Sequence, residues 1–306
     1  MNRKECSPRF VEFKTKDGLA LPGLLYEPER KTKAVTIFLH GNGSSSVFYK
    51  KEENERMASI FARRGIALFR FNNRGAHFVK TFRVTQGRKE VKKRFGMAYE
   101  RIKECVPDID GAIAFLKKEG YHTFYLAGAS TGANKICVYD HYKPKNEVKK
   151  YVLLCGGDDT GIYYRELGKK KFWETLKQSK RKIAAGKGTD IIPELLPGSI
   201  FSYQGFYDIA NPDGDYNVFP FYEALGKVKL SSKPLFRYFG KLKKPSLVVY
   251  GEKDEFSWPK DVRRAVALLK RYRPELEYKI IKGANHGFDG HKREMNTIVA
   301  EWLIRN

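Results

Sequence analysis

The fold is decided by the stretch FYLAGASTG at residues 124–132. An apolar run typical of a β-strand ends there in a turn centred on Ser130, and a helical pattern follows from Ala133 to about Tyr142. A strand, a tight turn and a helix around G-x-S-x-G form the context of a nucleophile elbow, in which the serine takes a positive φ and the glycines let strand and helix approach. We therefore predict that Ser130 is a nucleophile. The alternative is an N-cap serine in a glycine turn.

Strand-like and helical patterns alternate on both sides of this elbow. Apolar, β-branched runs typical of buried parallel strands lie at 34–39, 66–71, 148–155, 245–250 and 276–281. Helices are predicted at 48–64, 169–185, 260–272 and 289–304, and over 99–119 with a break or a new start near Pro107. A hairpin over residues 10–26 is expected at the edge of the sheet, and the basic stretch 78–96 has no clear pattern. The order predicts the α/β class, with a doubly wound, mostly parallel sheet.

The alternation fails between Thr160 and about Leu242, where proline and glycine interrupt the chain and aromatic residues are dense. We interpret 160–242 as an inserted cap that packs over the sheet, and 1–159 with 243–306 as the core. The aromatic side chains are expected mainly to form a small core for the cap, with binding of a hydrophobic or phenolic acyl group as the alternative. They are Phe201, Tyr203, Phe206, Tyr207, Tyr216, Phe219, Phe221 and Tyr222.

A histidine and a carboxylate follow later strands, in the chain order Ser, Asp, His of the α/β-hydrolase triad. A serine hydroxyl needs a base to take its proton, and His286 lies in a loop after the last predicted strand. A carboxylate must hold that imidazole in one tautomer, and Asp254 follows the strand at 245–250. Glu252 and Glu255 are alternatives for the acid. His40 and His77 also flank the predicted cleft but follow earlier strands, while Asp289 and His291 are assigned to the start of the closing helix.

Acyl transfer also needs hydrogen-bond donors for the developing oxyanion. The backbone N–H of Thr131 follows the nucleophile at a helix N-terminus. A second donor is expected from the loop HGNG at 40–43, where glycines let the backbone face the cleft. The backbone N–H of Asn42 is the candidate, and a plain strand-to-helix turn is the alternative.

The chain resembles α/β-hydrolases of the serine esterase and peptidase type. The resemblance rests on HGNG at 40–43, NNRG at 72–75, GASTG at 128–132, GEKD at 251–254 and GANHGF at 283–288. The loop NNRG and the stretch STGANK are similar to the fusarinine C esterase-like (siderophore esterase) group, and the opening DGLALPGLLY to acylaminoacyl-peptidase and feruloyl-esterase-like enzymes. Many relatives have an acidic residue at Asn72 or Asn73 and a histidine at Ala129. The resemblance implies that Asp254 is the triad acid.

Fifty-nine lysine and arginine residues against 35 acidic ones give a formal charge of +24. This charge is compatible with a nucleic-acid surface, an anionic substrate or a solvated basic surface. Because the lysines are spread along the chain and no nucleic-acid module is recognisable, we favour the solvated surface and expect no specific nucleic-acid partner.

The four cysteines, Cys6, Cys105, Cys137 and Cys155, form no C-x-x-C pair. They are interpreted as reduced thiols of a cytoplasmic protein and not as a disulfide framework or a zinc site. No apolar run approaches the roughly 20 residues that a membrane span needs, and the charged N-terminus has no apolar segment behind it, so we expect neither a span nor a secretory signal.

The sequence therefore predicts a serine hydrolase that cleaves a small-molecule carboxylic ester through an acyl-enzyme on Ser130. No metal or organic cofactor is expected. One alternative is an amide or peptide hydrolase. Another, of a different class, is a basic polyanion-binding protein on an inactive hydrolase scaffold. The acyl and alcohol groups of the substrate and the oligomeric state are not predicted.

Overall fold

The computed structural model describes residues 6, 8–43, 45–86, 89–226, 228–256 and 261–305, and its central element is an eight-stranded sheet. Its strands are β1 (Pro8–Lys14), β2 (Ala20–Tyr26), β3 (Ala34–Leu39), β4 (Ile66–Phe71), β7 (Thr123–Ala129), β8 (Val148–Leu154), β9 (Ser246–Gly251) and β10 (Glu277–Ile281). Two further strands, β5 (Lys80–Gln86) and β6 (Lys89–Phe95), form a separate antiparallel hairpin.

The strand order is β1-β2-β4-β3-β7-β8-β9-β10. Strands β3, β4, β7, β8, β9 and β10 run parallel, whereas β1 pairs antiparallel with β2 and β2 antiparallel with β4. The predicted fold class and the opening hairpin at the sheet edge are therefore confirmed. Every residue of β9 is buried, as expected for a strand covered on both faces.

Eight α-helices flank the sheets in the described ranges. They are α1 (Lys51–Ala62), α2 (Cys105–Lys118), α3 (Thr131–Tyr142), α4 (Asp159–Ala184), α5 (Tyr203–Ala210), α6 (Phe221–Ala224), α7 (Val262–Tyr272) and α8 (Lys292–Ile304). No helix among the described residues is long and apolar enough to cross a membrane. All four cysteines are buried, and none of them forms a disulfide bond.

Several predicted helix ends are wrong, for local reasons. The closing helix begins at Lys292 and not at Asp289, because Asn285 and Asp289 bond each other in a turn and Gly290 takes a φ of 74°. Helix α1 begins three residues later than predicted, after Lys50 in the left-handed region. The helix predicted from residue 99 begins at Cys105, since the extended backbone of Glu100 separates two short 3₁₀ turns ahead of it. Lys260 lies outside the described residues.

Residues 160–242 pack against the carboxyl ends of β8 and β9. The ring of Phe219 lies so close to Gly156 that a Cβ there would be 2.4 Å from it, and the ring of Phe221 lies 6.5 Å from that of Tyr250. Helix α4 is kinked at Gly168, whose φ of 72° and ψ of 160° are not helical. Most of the aromatic side chains are fully buried here, so the predicted small core accounts for them better than an open binding surface.

Candidate active site

Ser130 lies in a sharp turn between β7 and α3 with φ 55° and ψ −128°, the positive φ expected of an elbow serine. The two flanking glycines are required because a Cβ on Gly128 would lie 2.3 Å from the Gly132 carbonyl oxygen, and one on Gly132 would lie 2.5 Å from the Leu39 oxygen. The Ser130 N–H donates to the Leu154 carbonyl at 2.8 Å and fixes the turn against β8. The serine therefore projects from the carboxyl edge of the sheet.

His286 and Asp254 are in direct contact. The Nδ1 atom of His286 lies 2.9 Å from Asp254 Oδ1, and the aspartate side chain is fully buried. The same carboxylate oxygen accepts the N–H of Phe256 at 2.9 Å, and the Phe256 ring meets the imidazole edge-on at 4.9 Å. The Asp254 carboxylate thus leaves Nε2 as the imidazole nitrogen available for a proton acceptor role.

The neighbouring acidic residues have other partners. Glu252 accepts from Arg263 at 2.8 Å and from the backbone N–H of Gly283 at 3.0 Å. Glu255 accepts the backbone N–H of His286 at 3.2 Å, so it braces the loop without contacting the ring nitrogen. Of the three carboxylates that the sequence offers in this loop, Asp254 is the one bonded to the imidazole.

The electrostatic surroundings favour the protonated form of His286. Burial lowers the pKa of this imidazole, but the hydrogen bond and negative charge of Asp254, helped by Glu255 and Asp159, outweigh it, and the net pKa is raised. This is the balance that a general base needs when it must carry a positive charge during the reaction.

The glycine loop after β3 lies beside the serine. A Cβ on Gly41 would be 3.0 Å from the Ser130 Cβ and 3.5 Å from its Oγ, so a side chain there would crowd the serine. The N–H of Asn42 donates to no acceptor within the part of the chain that the structure describes. Thr131 is the first residue of α3, and a helix offers its first N–H groups no internal acceptor. Both candidate oxyanion donors are therefore available.

A cleft of about 450 Å³ opens next to these groups, with Gly41, Ala129 and His286 among the residues that line it. His40 lies in its wall, but its Nδ1 is 2.8 Å from the Gly41 oxygen, and burial together with the charge of Lys135 keeps its pKa well below the ordinary value. The Nδ1 atom of His77 lies 3.4 Å from the Tyr49 hydroxyl oxygen. Among the residues that the structure describes, no carboxylate is bonded to either ring as Asp254 is to His286.

Two polar residues near the site have no signal in the sequence pattern. The Cys155 thiol, directly after β8, lies within 4.8 Å of a carboxylate oxygen of Asp254, and burial together with the charge of this carboxylate raises the pKa of the thiol well above its ordinary value. Cys155, Asp254 and His286 offer donor atoms within 4.8 Å of one another. Such donors also suit zinc, but the Nδ1–Oδ1 hydrogen bond already joins two of the three residues.

The second of these polar residues is Asp159, on the first turn of α4. Its carboxylate accepts a hydrogen bond from Asn134 Nδ2 at 3.0 Å. Burial and the charge of Asp158 raise the pKa of Asp159 to about 7, although the charge of His286 opposes this. Neither Cys155 nor Asp159 belongs to a recognisable motif. Both lie near His286 because β8 is next to β9 in the sheet, and the sequence pattern does not give this strand order.

A buried ion pair supports the N-terminal half of α3. Lys135 Nζ lies 2.5 Å from Glu100 Oε1, and both side chains are at most 4% exposed. Glu100 also accepts from the Tyr216 hydroxyl at 3.3 Å, which links this helix to segment 160–242. Gly75 of the NNRG loop is closely packed here, since a Cβ on it would lie 2.1 Å from the Glu100 carboxylate.

The sheet order, the elbow and the Asp254–His286 pair define a protein with the α/β-hydrolase fold, and the predicted resemblance to that superfamily is confirmed. Residues 95–306 match the family described as "Protein of unknown function (DUF1749)", and the chain belongs to that family. No curated protein matches the chain.

The fold is similar to those of solved esterases and a peptidase. Est1E from Butyrivibrio proteoclasticus has a TM-score of 0.61 and 15% identity over 96% of this chain and 97% of its own. Carboxylesterase CesB (YbfK) from Bacillus subtilis has a TM-score of 0.55 and 16% identity over 97% and 92%. A puromycin-hydrolysing peptidase from Mycobacterium tuberculosis has a TM-score of 0.55 and 16% identity over 98% of this chain and 40% of its own.

Proposed function

We propose that this protein is a serine hydrolase that cleaves carboxylic esters. The observation that carries the proposal is the 2.9 Å hydrogen bond between His286 Nδ1 and the buried Asp254 carboxylate, at the sheet edge where Ser130 occupies a strained turn. A histidine oriented by a carboxylate and a serine in an elbow turn are the base and the nucleophile that acyl transfer requires.

In the proposed first step, Ser130 Oγ attacks the ester carbonyl while His286 Nε2 takes the hydroxyl proton. The negative charge on the carbonyl oxygen is stabilised by the N–H groups of Asn42 and Thr131. The C–O bond to the alcohol then breaks, and His286 returns the proton to the leaving oxygen, which leaves an acyl-enzyme on Ser130.

In the second step, water attacks the acyl-enzyme carbonyl and gives a proton to His286. The tetrahedral intermediate collapses to a carboxylic acid, and the proton on His286 passes to Ser130 Oγ. Every proton is transferred by chain residues or water, so the proposed cycle needs no additional reactant.

We further propose that residues 160–242 act as a cap over this site. Their contacts with the carboxyl ends of β8 and β9 support this, as does the Tyr216–Glu100 bond near α3. Partly exposed aromatic rings on this segment, Tyr163, Tyr164, Tyr207 and Tyr222, are candidates for contact with an acyl group.

Labelling with a fluorophosphonate probe tests the proposal, followed by peptide mapping of the modified residue. Ser130→Ala should abolish labelling and lower hydrolysis of short p-nitrophenyl esters by at least about 10³-fold. Ser59→Ala, on helix α1 and not among the residues that line the cleft, is the matched control and should behave like the natural chain. Labelling of another residue, or full activity in Ser130→Ala, would make the proposal wrong.

The same assay separates an esterase from an amide hydrolase. Matched acyl-peptide amides and esters with the same acyl group should be compared for kcat/KM. We expect a higher kcat/KM for the esters. A higher kcat/KM for the amides would instead identify the protein as an amide or peptide hydrolase.

A further inference from the structure

The hairpin β5–β6 exposes a face with unusually close positive charges. Arg83 lies directly opposite Lys92 in the strand register, and Arg94 lies opposite Thr81 on the same face. Like charges in directly opposite positions destabilise a β-ribbon. The carboxylate of Glu90 lies 3.9 Å from Arg83 at a position where both side chains are mostly exposed, so it compensates little.

This face borders a concave site, the basic cleft, of about 690 Å³ between β6 and residues 183–190. Four cations, Lys92, Lys93, Arg94 and Arg101, line it with two carboxylates, Glu104 and Asp190. Glu104 is already bonded to the Arg101 guanidinium, with Nε at 3.1 Å from Oε1. The side chains of β6 therefore supply an excess of positive charge to one side of the cleft.

The cleft also contains an aromatic side chain. Tyr99 lines it, and Arg94 Nη1 donates to the tyrosine hydroxyl at 3.2 Å, which holds the guanidinium beside the phenol. The opposite wall continues into the basic end of α4, where Lys182 lies 5.4 Å from the Tyr203 ring and Lys187 is exposed. Cations that follow a groove, with an aromatic ring among them, are the features that single-stranded nucleic acids bind.

We propose that the basic cleft binds the phosphate backbone of single-stranded nucleic acid without base specificity. Lys92, Arg94 and Arg83 contact successive phosphates, and the Tyr99 ring stacks on a base. The concave shape favours a flexible strand, which can follow the cleft, over a flat lipid surface. These cations come from the basic stretch 78–96, and the pairing of β5 with β6 places Arg83, Lys92 and Arg94 on one face.

None of the described residues that line the basic cleft belongs to the candidate triad or the oxyanion loop. The two proposals therefore rest on different residues. Failure of the serine hydrolase proposal would leave this one standing, and the reverse also holds.

The test is fluorescence anisotropy of a labelled fifteen-nucleotide oligo(dT) with the full chain, between about 25 and 200 mM NaCl. Arg83→Gln/Lys92→Gln/Arg94→Gln should weaken binding by about tenfold or more at low salt. It should also reduce the slope of log K against log salt by about 2, since each single-strand phosphate contact contributes about 0.7. Hydrolysis of p-nitrophenyl esters should not change in this variant.

The matched control removes three exposed lysines near the amino ends of the central strands, as Lys31→Gln/Lys118→Gln/Lys149→Gln. This control variant should bind the oligonucleotide with the affinity of the natural chain and keep most of the slope of log K against log salt. In addition, Tyr99→Ala should weaken binding at least about fivefold, and Tyr99→Phe should not, because a phenyl ring still stacks.

Three results would overturn the proposal. The first is no binding of the oligonucleotide by the natural chain at low salt. The second is an equal loss in the control variant, which would show that total charge alone matters. The third is preferential binding to phosphatidylglycerol vesicles, which would identify a lipid surface as the partner.

Discussion

His286 Nδ1 is hydrogen-bonded to a carboxylate, Asp254, whose side chain is fully buried. The imidazole itself is largely shielded from water, with 17% of its side chain exposed. In this setting the bond to Asp254 decides both the orientation of the ring and the pH at which it loses its proton.

We expect kcat/KM for an ester to rise with pH through the pKa of His286, because only the neutral imidazole can accept the serine proton. Since the pKa is raised, the midpoint should lie above about 6.5. Asp254→Asn removes the negative charge that raises the pKa of His286. Burial, which lowers this pKa, then dominates, and the midpoint of the profile should move to lower pH.

The same substitution should lower kcat by about 10³- to 10⁴-fold, because the imidazole loses its fixed tautomer. The pKa of His286 is measured from the pH–rate profile in the natural chain. In Asp254→Asn, which reacts slowly, it is measured by NMR titration of the imidazole ring. An unchanged midpoint in Asp254→Asn would contradict the electrostatic account.

Gly128→Ala should disrupt the elbow. The added Cβ would lie 2.3 Å from the Gly132 carbonyl oxygen, and backbone atoms must move to relieve the overlap. We expect a loss of about 2–3 kcal/mol in the free energy of unfolding and nearly complete loss of ester hydrolysis. Gly157→Ala is the control, because no atom lies within 4 Å of its added Cβ, and its stability should change by less than about 0.5 kcal/mol. Equal effects in both variants would refute this explanation.

Lys135→Met should be strongly destabilising because it leaves Glu100 buried without its cation. We expect a loss of about 3–5 kcal/mol in urea unfolding, and recovery of most of it in Lys135→Met/Glu100→Leu, where no charge is left unpaired. Arg56→Met removes one partner of an exposed pair with Glu52 and should change stability by less than about 1 kcal/mol. A double variant as unstable as the single one would show that the loss is due to packing.

Cys155→Ala should lower kcat/KM by about tenfold, because the buried Asp254 carboxylate loses the nearby thiol, a group able to donate a weak hydrogen bond. Cys155→Ser should keep most of the activity, since a hydroxyl also donates. Ester kinetics and thermal unfolding of the two variants separate this role from simple packing. If alanine and serine behave alike, the thiol does not position the acid.

Local patterns in the sequence were sufficient for the parallel sheet and the elbow. A buried parallel strand requires an apolar run, and a strained turn between strand and helix requires glycines at Gly128 and Gly132, so both leave a signature in neighbouring residues. The hairpin β5–β6 left no such signature, because both its faces are partly exposed and basic residues interrupt the alternation.

The first residues of α1, α2 and α8 were also missed. A turn such as the one joining Asn285 and Asp289 uses side chains that suit a helix N-terminus equally well. Periodicity locates the body of a helix, but side-chain bonds and positive φ values decide its end.

The sequence by itself determined that Ser130, a carboxylate and His286 follow strands in the order of a hydrolase triad. Chain order is given directly by the sequence, and neighbouring apolar and turn residues indicate where each strand ends. Only the tertiary structure decided that Asp254, and not Glu252 or Glu255, bonds the imidazole. It also brought Cys155 to that carboxylate and gathered Arg83, Lys92 and Arg94 on one face. Such contacts depend on strand order, register and side-chain direction, which a linear pattern does not encode.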